Sequence, residues 1–199
     1  MGNGSQPGPY YLIFKCTSPW KGYTLEGPWP WLAAISKASV KYTDKPADIL
    51  PALKNLDLLY LSNNQPMKDA YLRKGIFDFA SSGKGLLLVH PALWYNWNDW
   101  PEYNRVLVGG GAKSHDKFGE FEVTVTDPNH PIMAGVPRTF NITDELYHFE
   151  SDPNGSPMIV LATGKNITTG KTYPVREVPR RTTRRLSQPR FLLLVPSHT

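Results

Sequence analysis

The sequence predicts an α/β fold with a mostly parallel sheet, and three consecutive segments carry that prediction. "LDLLYLS" (56–62) is a short, nearly continuous apolar run, typical of a strand covered on both faces. "PMKDAYLRKGIFDFASSGKG" (66–85) has an apolar stripe at helical spacing, with Pro66 near its start and Gly83 as a stop signal. "GLLLVH" (85–90) is a second buried strand. Strand, helix and strand joined by short links form a βαβ unit, whose two strands run parallel.

The segments before this unit are consistent with the same class. "YYLIFK" (10–15) and "SVKYT" (39–43) are predicted strands. "PWPWLAAISKA" (28–38) is predicted as a short helix opened by proline, and "PADILPALKNL" (46–56) is helical in composition although Pro51 interrupts it.

The segments after the unit are more polar. A helix is expected near 100–108, an alternating strand at "EFEVTVT" (120–126) and a further strand at "MIVLAT" (158–163). Residues 1–9, rich in Gly, Pro and Ser, are expected to be a flexible terminus. One α/β domain is therefore predicted over 10–175.

The positive charge is concentrated at one end of the chain. The net charge is +5, and the segment from Arg176 onward has six arginines and one acid, Glu177. The preceding residues balance to zero, so the body gives no electrostatic argument for binding nucleic acid. Residues 176–199 are treated as a divergent, arginine-rich segment.

Two further features bear on location. No apolar run reaches the roughly 18 residues of a membrane helix, and the opening lacks the pattern of a secretory signal. The single cysteine, Cys16, excludes an intrachain disulfide. We therefore expect a cytoplasmic protein without a membrane partner.

The end of the apolar run 85–90 is the first candidate site. His90 closes the run, and an aromatic loop with Trp94 and Trp97 follows. Ligands of parallel sheets bind beyond the carboxyl ends of the strands, where a histidine serves acid/base work and tryptophan stacks on a sugar or a base. The alternatives are that His90 caps a helix or bonds to backbone, and that the rings fill the core.

"VGGGAKSHDKF" (108–118) is the second candidate. It is not a phosphate-binding loop, because Ala112 breaks the Gly-Lys-Ser spacing. Gly109 and Gly110 permit a tight turn or a close backbone approach, and His115 follows in a polar stretch. A functional histidine and a plain surface loop both remain open.

"ITDELYHFE" (142–150) is the third candidate. Asp144, Glu145, Tyr147 and His148 lie close together in sequence, which permits a carboxylate–histidine pair for acid/base work or for binding sugar hydroxyls. The alternative is a solvated acidic turn. The histidines show no metal-ligand spacing, and no cofactor or metal is expected.

Taken together, "GKGLLLVHPA", "LVGGGAKSH", "VTVTDPNHPIMAGVP" and "DELYHF" resemble, in order and spacing, the ThuA-like proteins, named for trehalose utilization. The resemblance covers 47–175 and is strongest over 83–149. It implies a class I glutamine amidotransferase-like fold, which is a flavodoxin-like three-layer sandwich. The family's motif positions correspond here to His90, Gly109, Gly110, His115, His130, Pro131, Asp144, Glu145 and Tyr147.

The resemblance also implies a function. It suggests a protein of disaccharide or keto-sugar metabolism, with His90, His115 and Glu145 as catalytic groups. The remaining predicted site residues would contact the sugar; they are Trp94, Trp97, Gly109, Gly110, Asp144 and Tyr147. The alternative is a non-catalytic binding or interaction module on the same scaffold.

Glutamine hydrolysis is not expected. Amidotransferases of this fold have a cysteine nucleophile in the elbow corresponding to 90–92, and "VHPAL" has none. The ligand expected is a small sugar, and a homo-oligomer remains open.

The last segment departs from the family pattern. "RFLLLVPSHT" (190–199) is either a degenerate form of the family's last strand or part of an out-of-frame or artificial sequence. A basic tail that binds nucleic acid is the third alternative.

Overall fold

The structure is a computed structural model, and it describes residues 10–15, 39–63, 66–95, 98–179 and 190–194. Most of the described chain lies in strands. The strands are β1 (Tyr10–Lys15), β2 (Ser39–Thr43), β3 (Leu58–Ser62), β4 (Gly85–Val89), β5 (Gly110–His115), β6 (Gly119–Val125), β7 (Thr139–Asp144), β8 (Tyr147–Ser151), β9 (Met158–Asn166), β10 (Thr172–Pro179) and β11 (Arg190–Leu194).

Nine of these strands form one sheet, in the order β2-β1-β3-β4-β11-β10-β9-β6-β7. The first five run parallel to their neighbours. β3 and β4 pair directly, with Leu58 opposite Gly85, as the predicted βαβ unit requires. The α/β class is therefore confirmed.

The prediction of a mostly parallel sheet is wrong. Among the described strands, four pairs are parallel and five are antiparallel. The prediction extended the βαβ unit to the whole chain. From β5 to β10, however, four of the five links between successive strands have six residues or fewer, and a parallel pair needs a crossover of a dozen residues or more. β5 and β8 form a separate two-stranded antiparallel sheet, here called the ribbon.

Two α-helices precede β4 in the described ranges. α1 (Ile49–Ala52) is a single turn between two 3₁₀ turns, and α2 (Ala70–Ser81) is the helix of the βαβ unit. α2 begins later than Pro66, because the Asp69 side chain accepts hydrogen bonds from the amides of Tyr71 and Leu72. The helix expected near 100–108 is a π-helical turn, Tyr103–Val108, that ends at Gly109.

The apolar side chains form two clusters that match the two halves of the sheet. The first lies around the parallel half and includes Leu59, Ile76 and Leu88. The second lies in the antiparallel half and includes Phe121, Leu146 and Leu161. The chain around β8 connects the two, because Phe149 of β8 belongs to the first cluster and Leu146, directly before β8, belongs to the second.

The arginine-rich segment contributes to the sheet. β10 crosses the predicted boundary at residue 175, so that boundary does not coincide with the end of an element. β11 lies between β4 and β10, in register with β4 from Gly85 to Val89. The expected flexible terminus 1–9 and the helix at 28–38 lie outside the described residues. Within the described ranges, no helix combines the length and the apolar character of a membrane span.

Candidate functional site

His90 stands at a sharp bend directly after β4. Its φ is +52°, and it is the one residue other than glycine with a positive φ in the described chain. A 3₁₀ turn, His90–Leu93, begins there. L-residues lose free energy in this conformation, so such a residue persists only where the surrounding structure holds it, often at a functional site. The bend directs the imidazole away from the line of the strand.

Glu145 lies between two histidines. Its Oε2 is 3.2 Å from His90 Nε2, and its Oε1 is 3.8 Å from His115 Nδ1. The side chains are partly buried, with exposed fractions of 20% for His90, 24% for Glu145 and 32% for His115. Glu145 follows the last residue of β7, where the buried Asp144 accepts a hydrogen bond of 2.8 Å from the Glu145 amide. Asp144 thus fixes the backbone that carries the carboxylate.

The hydrogen bonds of His115 define its tautomer. His115 ends β5, and its Nδ1 lies 2.6 Å from the carbonyl oxygen of Asp116. A carbonyl only accepts, so Nδ1 carries the proton and donates it. Nε2 of the neutral ring is then the proton acceptor. His90 Nε2, which faces a carboxylate, is correspondingly the donor nitrogen of its ring.

Aromatic rings surround the two histidines. The Tyr147 ring is centred 4.8 Å from His90 and 5.6 Å from His115. Trp94 packs edge-to-face on Tyr147 and His115 at 5.4 and 5.6 Å. Burial raises the pKa of the Tyr147 hydroxyl, outweighing a hydrogen bond from Trp94 that lowers it. Tyr147 therefore stays protonated in the working range and can donate a hydrogen bond.

Asn104 and two glycines position the strand and the aromatic residues around the histidines. The buried Asn104 amide nitrogen donates to the carbonyl oxygens of Trp94 and Gly110, at 3.1 and 3.0 Å. A Cβ on Gly110 would lie 2.1 Å from the Glu150 carbonyl oxygen, so only glycine allows β5 to lie this close to β8. Gly109 has a φ of +73° and ends the π-helical turn. Sequence reasoning missed Asn104, because a buried polar residue in a helical segment has no pattern of its own.

The structure thus brings five predicted residues together and separates others. His90, Trp94, His115, Glu145 and Tyr147 form one group, here called the histidine cluster. Gly109 and Gly110 lie at the start of β5, whereas His115 is at its end, and their close contacts are with protein backbone and side chains. Trp97 lies outside the described residues. The described part of the chain contains no group of three or more His, Cys, Asp or Glu side chains placed to hold a metal ion.

A separate cleft of about 300 Å³ opens beside the aromatic loop. Two of its lining residues adjoin the histidine cluster: Tyr95 follows Trp94 in sequence, and Asn104 donates to the Trp94 carbonyl oxygen. None of the described lining residues belongs to the histidine cluster itself. The cleft is lined by Tyr95, Asn98, Pro101, Asn104, Arg105 and Asp152.

The ribbon also carries a second polar group, here called the serine cluster and formed by Ser114, His148 and Asp116. Ser114 Oγ lies 2.8 Å from His148 Nδ1, and His148 Nε2 lies 2.9 Å from Asp116 Oδ1. Sequence reasoning missed these pairings, since they join residues of different strands. The sequence does show that Ser114 adjoins His115 and that His148 adjoins Tyr147. Because neighbouring residues of a strand face opposite sides, this adjacency is a signal for a second polar group on the same strands.

Comparison with known families identifies the chain. The family model ThuA, described as trehalose utilisation, matches residues 28–190. The chain belongs to the ThuA family. At the family level this assigns the protein to carbohydrate metabolism. A search of curated proteins found no match.

Solved structures similar to this ThuA-family chain agree on the fold. A ThuA-like protein from Bacteroides uniformis is 17% identical, with a TM-score of 0.76 over 100% of this chain and 85% of its own. A second, from Parabacteroides merdae, is 17% identical, with a TM-score of 0.70 over 95% and 79%. A glutamine amidotransferase from Thermotoga maritima is 11% identical, with a TM-score of 0.56 over 95% and 75%. The amidotransferase-like fold is therefore confirmed for this ThuA-family chain.

Proposed function

We propose that the chain binds a disaccharide or keto-sugar at the carboxyl end of β4 and acts on it by proton transfer. The observation that carries the proposal is the Glu145 carboxylate lying between two imidazoles, 3.2 Å from one and 3.8 Å from the other. Carboxylate–histidine pairs supply general acids and bases, and both suit the hydroxyl and carbonyl groups of a sugar.

The tautomers assign different tasks to the two histidines. His115 Nε2, opposite the nitrogen that donates to Asp116, is the group that accepts a proton from the sugar. His90 bonds through Nε2 to Glu145 and holds that carboxylate in place. Glu145 then stabilises the positive charge that develops on His115 when it takes up the proton. The reaction therefore needs both Glu145 and His115.

Two aromatic residues supply the binding surface. Trp94 is half-buried beside His115 and offers a ring face to the apolar side of a sugar. The protonated Tyr147 hydroxyl offers a hydrogen bond to a sugar oxygen. Hydrolysis of glutamine is not part of the proposal, because the bend after β4 carries His90 in place of a cysteine.

The proposal is tested by calorimetric titration with trehalose and its 3-keto form, followed by product analysis. Glu145→Gln should weaken the binding of the sugar roughly tenfold or more, since hydrogen bonds to charged groups contribute about 1.5–3 kcal/mol. His115→Gln should abolish turnover and leave much of the affinity. His130→Gln is the matched control, because the His130 imidazole lies in a turn, where its Nδ1 accepts a hydrogen bond from the Ile132 amide.

The outcomes separate the alternatives. Binding with turnover that depends on Glu145 and His115 supports an enzyme. Binding without any change in the sugar supports a non-catalytic binding module on this scaffold. Sugar binding by Glu145→Gln equal to that of the His130→Gln control, together with turnover retained in His115→Gln, would place the sugar elsewhere, and Asp152→Ala in the cleft would then be the next variant.

A further inference from the structure

The serine cluster uses residues that adjoin those of the histidine cluster along the two strands of the ribbon. Ser114 precedes His115 on β5, and His148 follows Tyr147 on β8. His148 stacks on Tyr173 of β10, with ring centroids 4.2 Å apart and planes 13° apart. This ring contact fixes the orientation of the imidazole. The two clusters therefore consist of different side chains, and the backbone carbonyl of Asp116, which accepts a hydrogen bond from His115, links them.

The hydrogen bonds of the serine cluster run in one direction. Asp116 Oδ1 accepts from His148 Nε2 at 2.9 Å, so His148 Nδ1 is the unprotonated nitrogen of the neutral ring. Ser114 Oγ then donates to that nitrogen at 2.8 Å. Asn166 Nδ2 donates to the second oxygen of Asp116 at 2.6 Å. Nucleophile, base and orienting carboxylate thus stand in the order that activates a serine hydroxyl.

The exposure of the three side chains of the serine cluster suits a nucleophilic serine. Ser114 is exposed, while His148 and Asp116 are three-quarters buried, with 24% and 25% of their side chains exposed. An attacking serine must meet its substrate, and the base and carboxylate are more effective when partly shielded from water.

Two exposed apolar side chains lie next to the cluster in the chain. Phe118, 61% exposed, is two residues after Asp116. Ile167, 57% exposed, follows Asn166, whose amide holds Asp116. Exposed apolar side chains favour contact with apolar groups, so the expected substrate has an apolar group next to its reacting carbon.

We infer that Ser114, His148 and Asp116 form a second, nucleophilic site that hydrolyses small esters with an apolar acyl group. Ser114 Oγ attacks the carbonyl carbon and forms the acyl–oxygen bond while His148 Nδ1 takes the hydroxyl proton. The bond to the alcohol breaks, and the alcohol leaves with that proton. Water then attacks the acyl carbon, His148 takes a proton from the water, and the free acid departs as Ser114 regains its proton.

The test is covalent labelling of the full chain with an alkyl fluorophosphonate, with the adduct located by peptide mass spectrometry. We expect one adduct, on Ser114. His148→Gln should slow labelling roughly 100-fold or more, the effect typical of losing a general base. Ser156 is the internal control, because its hydroxyl donates to the Val106 carbonyl oxygen and has no imidazole beside it. His130→Gln should label at the wild-type rate.

A second measurement addresses the acyl group. The p-nitrophenyl butyrate ester should be hydrolysed faster than the acetate, and Phe118→Ser should remove that preference. Thermal melting of each variant confirms that it is folded. Absence of an adduct on Ser114, labelling of Ser156 at a similar rate, or unchanged labelling in folded His148→Gln would each overturn the inference. None of these outcomes depends on the sugar proposal.

Discussion

With a φ of +52°, His90 has a backbone conformation that residues with a Cβ seldom adopt. Its imidazole makes two contacts within the histidine cluster, the 3.2 Å bond to Glu145 and the ring contact with Tyr147. Strain at this residue is thus coupled to the geometry of the proposed site.

Substitutions of His90 should separate backbone strain from side-chain function. Asn tolerates the left-handed conformation, whereas β-branched Val does not. We expect His90→Val to lower the free energy of unfolding by about 1–2 kcal/mol more than His90→Asn. Urea denaturation of both variants measures the difference. An equal loss of the free energy of unfolding in the two variants would show that the backbone at residue 90 leaves the left-handed conformation without cost.

Asp116 gives a pH signature to the serine cluster. Burial alone would raise its pKa, but the hydrogen bonds from Asn166 and His148 outweigh burial, and the pKa lies below the ordinary 3.8. A carboxyl with a lowered folded pKa contributes stability above its unfolded pKa, and the contribution is lost as the pH falls through the folded value.

Asp116→Asn should therefore destabilise the protein at neutral pH, and the difference from wild type should shrink as the pH falls below 3.8. Urea denaturation at a series of pH values measures this. Asp44→Asn, at an exposed position, is the control and should change little at any pH. A constant difference between Asp116→Asn and wild type down to about pH 3 would contradict the linkage.

At the scale of elements, the ribbon depends on how closely β5 approaches β8. Gly110 pairs with Ser151 and has no room for a Cβ. Both clusters stand on these strands, so a change in their spacing should disturb two sites at once.

Gly110→Ala should push the strands apart, because the new Cβ would lie 2.1 Å from the Glu150 carbonyl oxygen. Overpacking of this kind costs about 1–3 kcal/mol. Thermal melting measures the loss of stability, and sugar titration measures the loss of affinity. Gly119→Ala is the matched control, since its nearest atom would be 3.6 Å away. A Gly110→Ala variant as stable as the control would show that the ribbon is adaptable.

The elements that could be predicted from the sequence are those with a regular apolar pattern. β3 and β4 are nearly uniformly apolar, because both faces of these strands are largely buried, and α2 has an apolar stripe at helical spacing. The sequence predicts a glycine loop and an acidic turn where the structure has β5 and β8, because glycines and exposed polar residues interrupt the apolar alternation of these strands. The motif resemblance named His90, His115 and Glu145, but only the pairing of distant strands places them together. The contacts of the serine cluster cross strands and leave no periodic signal.

At the scale of the whole molecule, the sheet is completed by a strand from the arginine-rich segment. β11 separates β4 from β10 and is parallel to β4 along its whole length. A tail dispensable for folding would lie outside the sheet.

Truncation after residue 189 should therefore remove the cooperative unfolding transition, because β4 and β10 both lose a neighbour in the interior of the sheet. Truncation after residue 194 retains β11 and should preserve the transition. Circular dichroism during heating compares the two. A sharp transition in the shorter chain would show that the sheet closes without β11.

The position of β11 also sets the order in which the molecule can assemble. Gly85 of β4 pairs with Arg190 of β11, although more than a hundred residues separate them along the chain. Contacts between such distant segments slow folding, because the chain loses loop entropy before it gains the contact. Until β11 arrives, the edges of β4 and β10 expose unpaired amides and carbonyls to other chains. Refolding yield should consequently fall steeply with protein concentration, as intermolecular pairing competes with the arrival of the last strand.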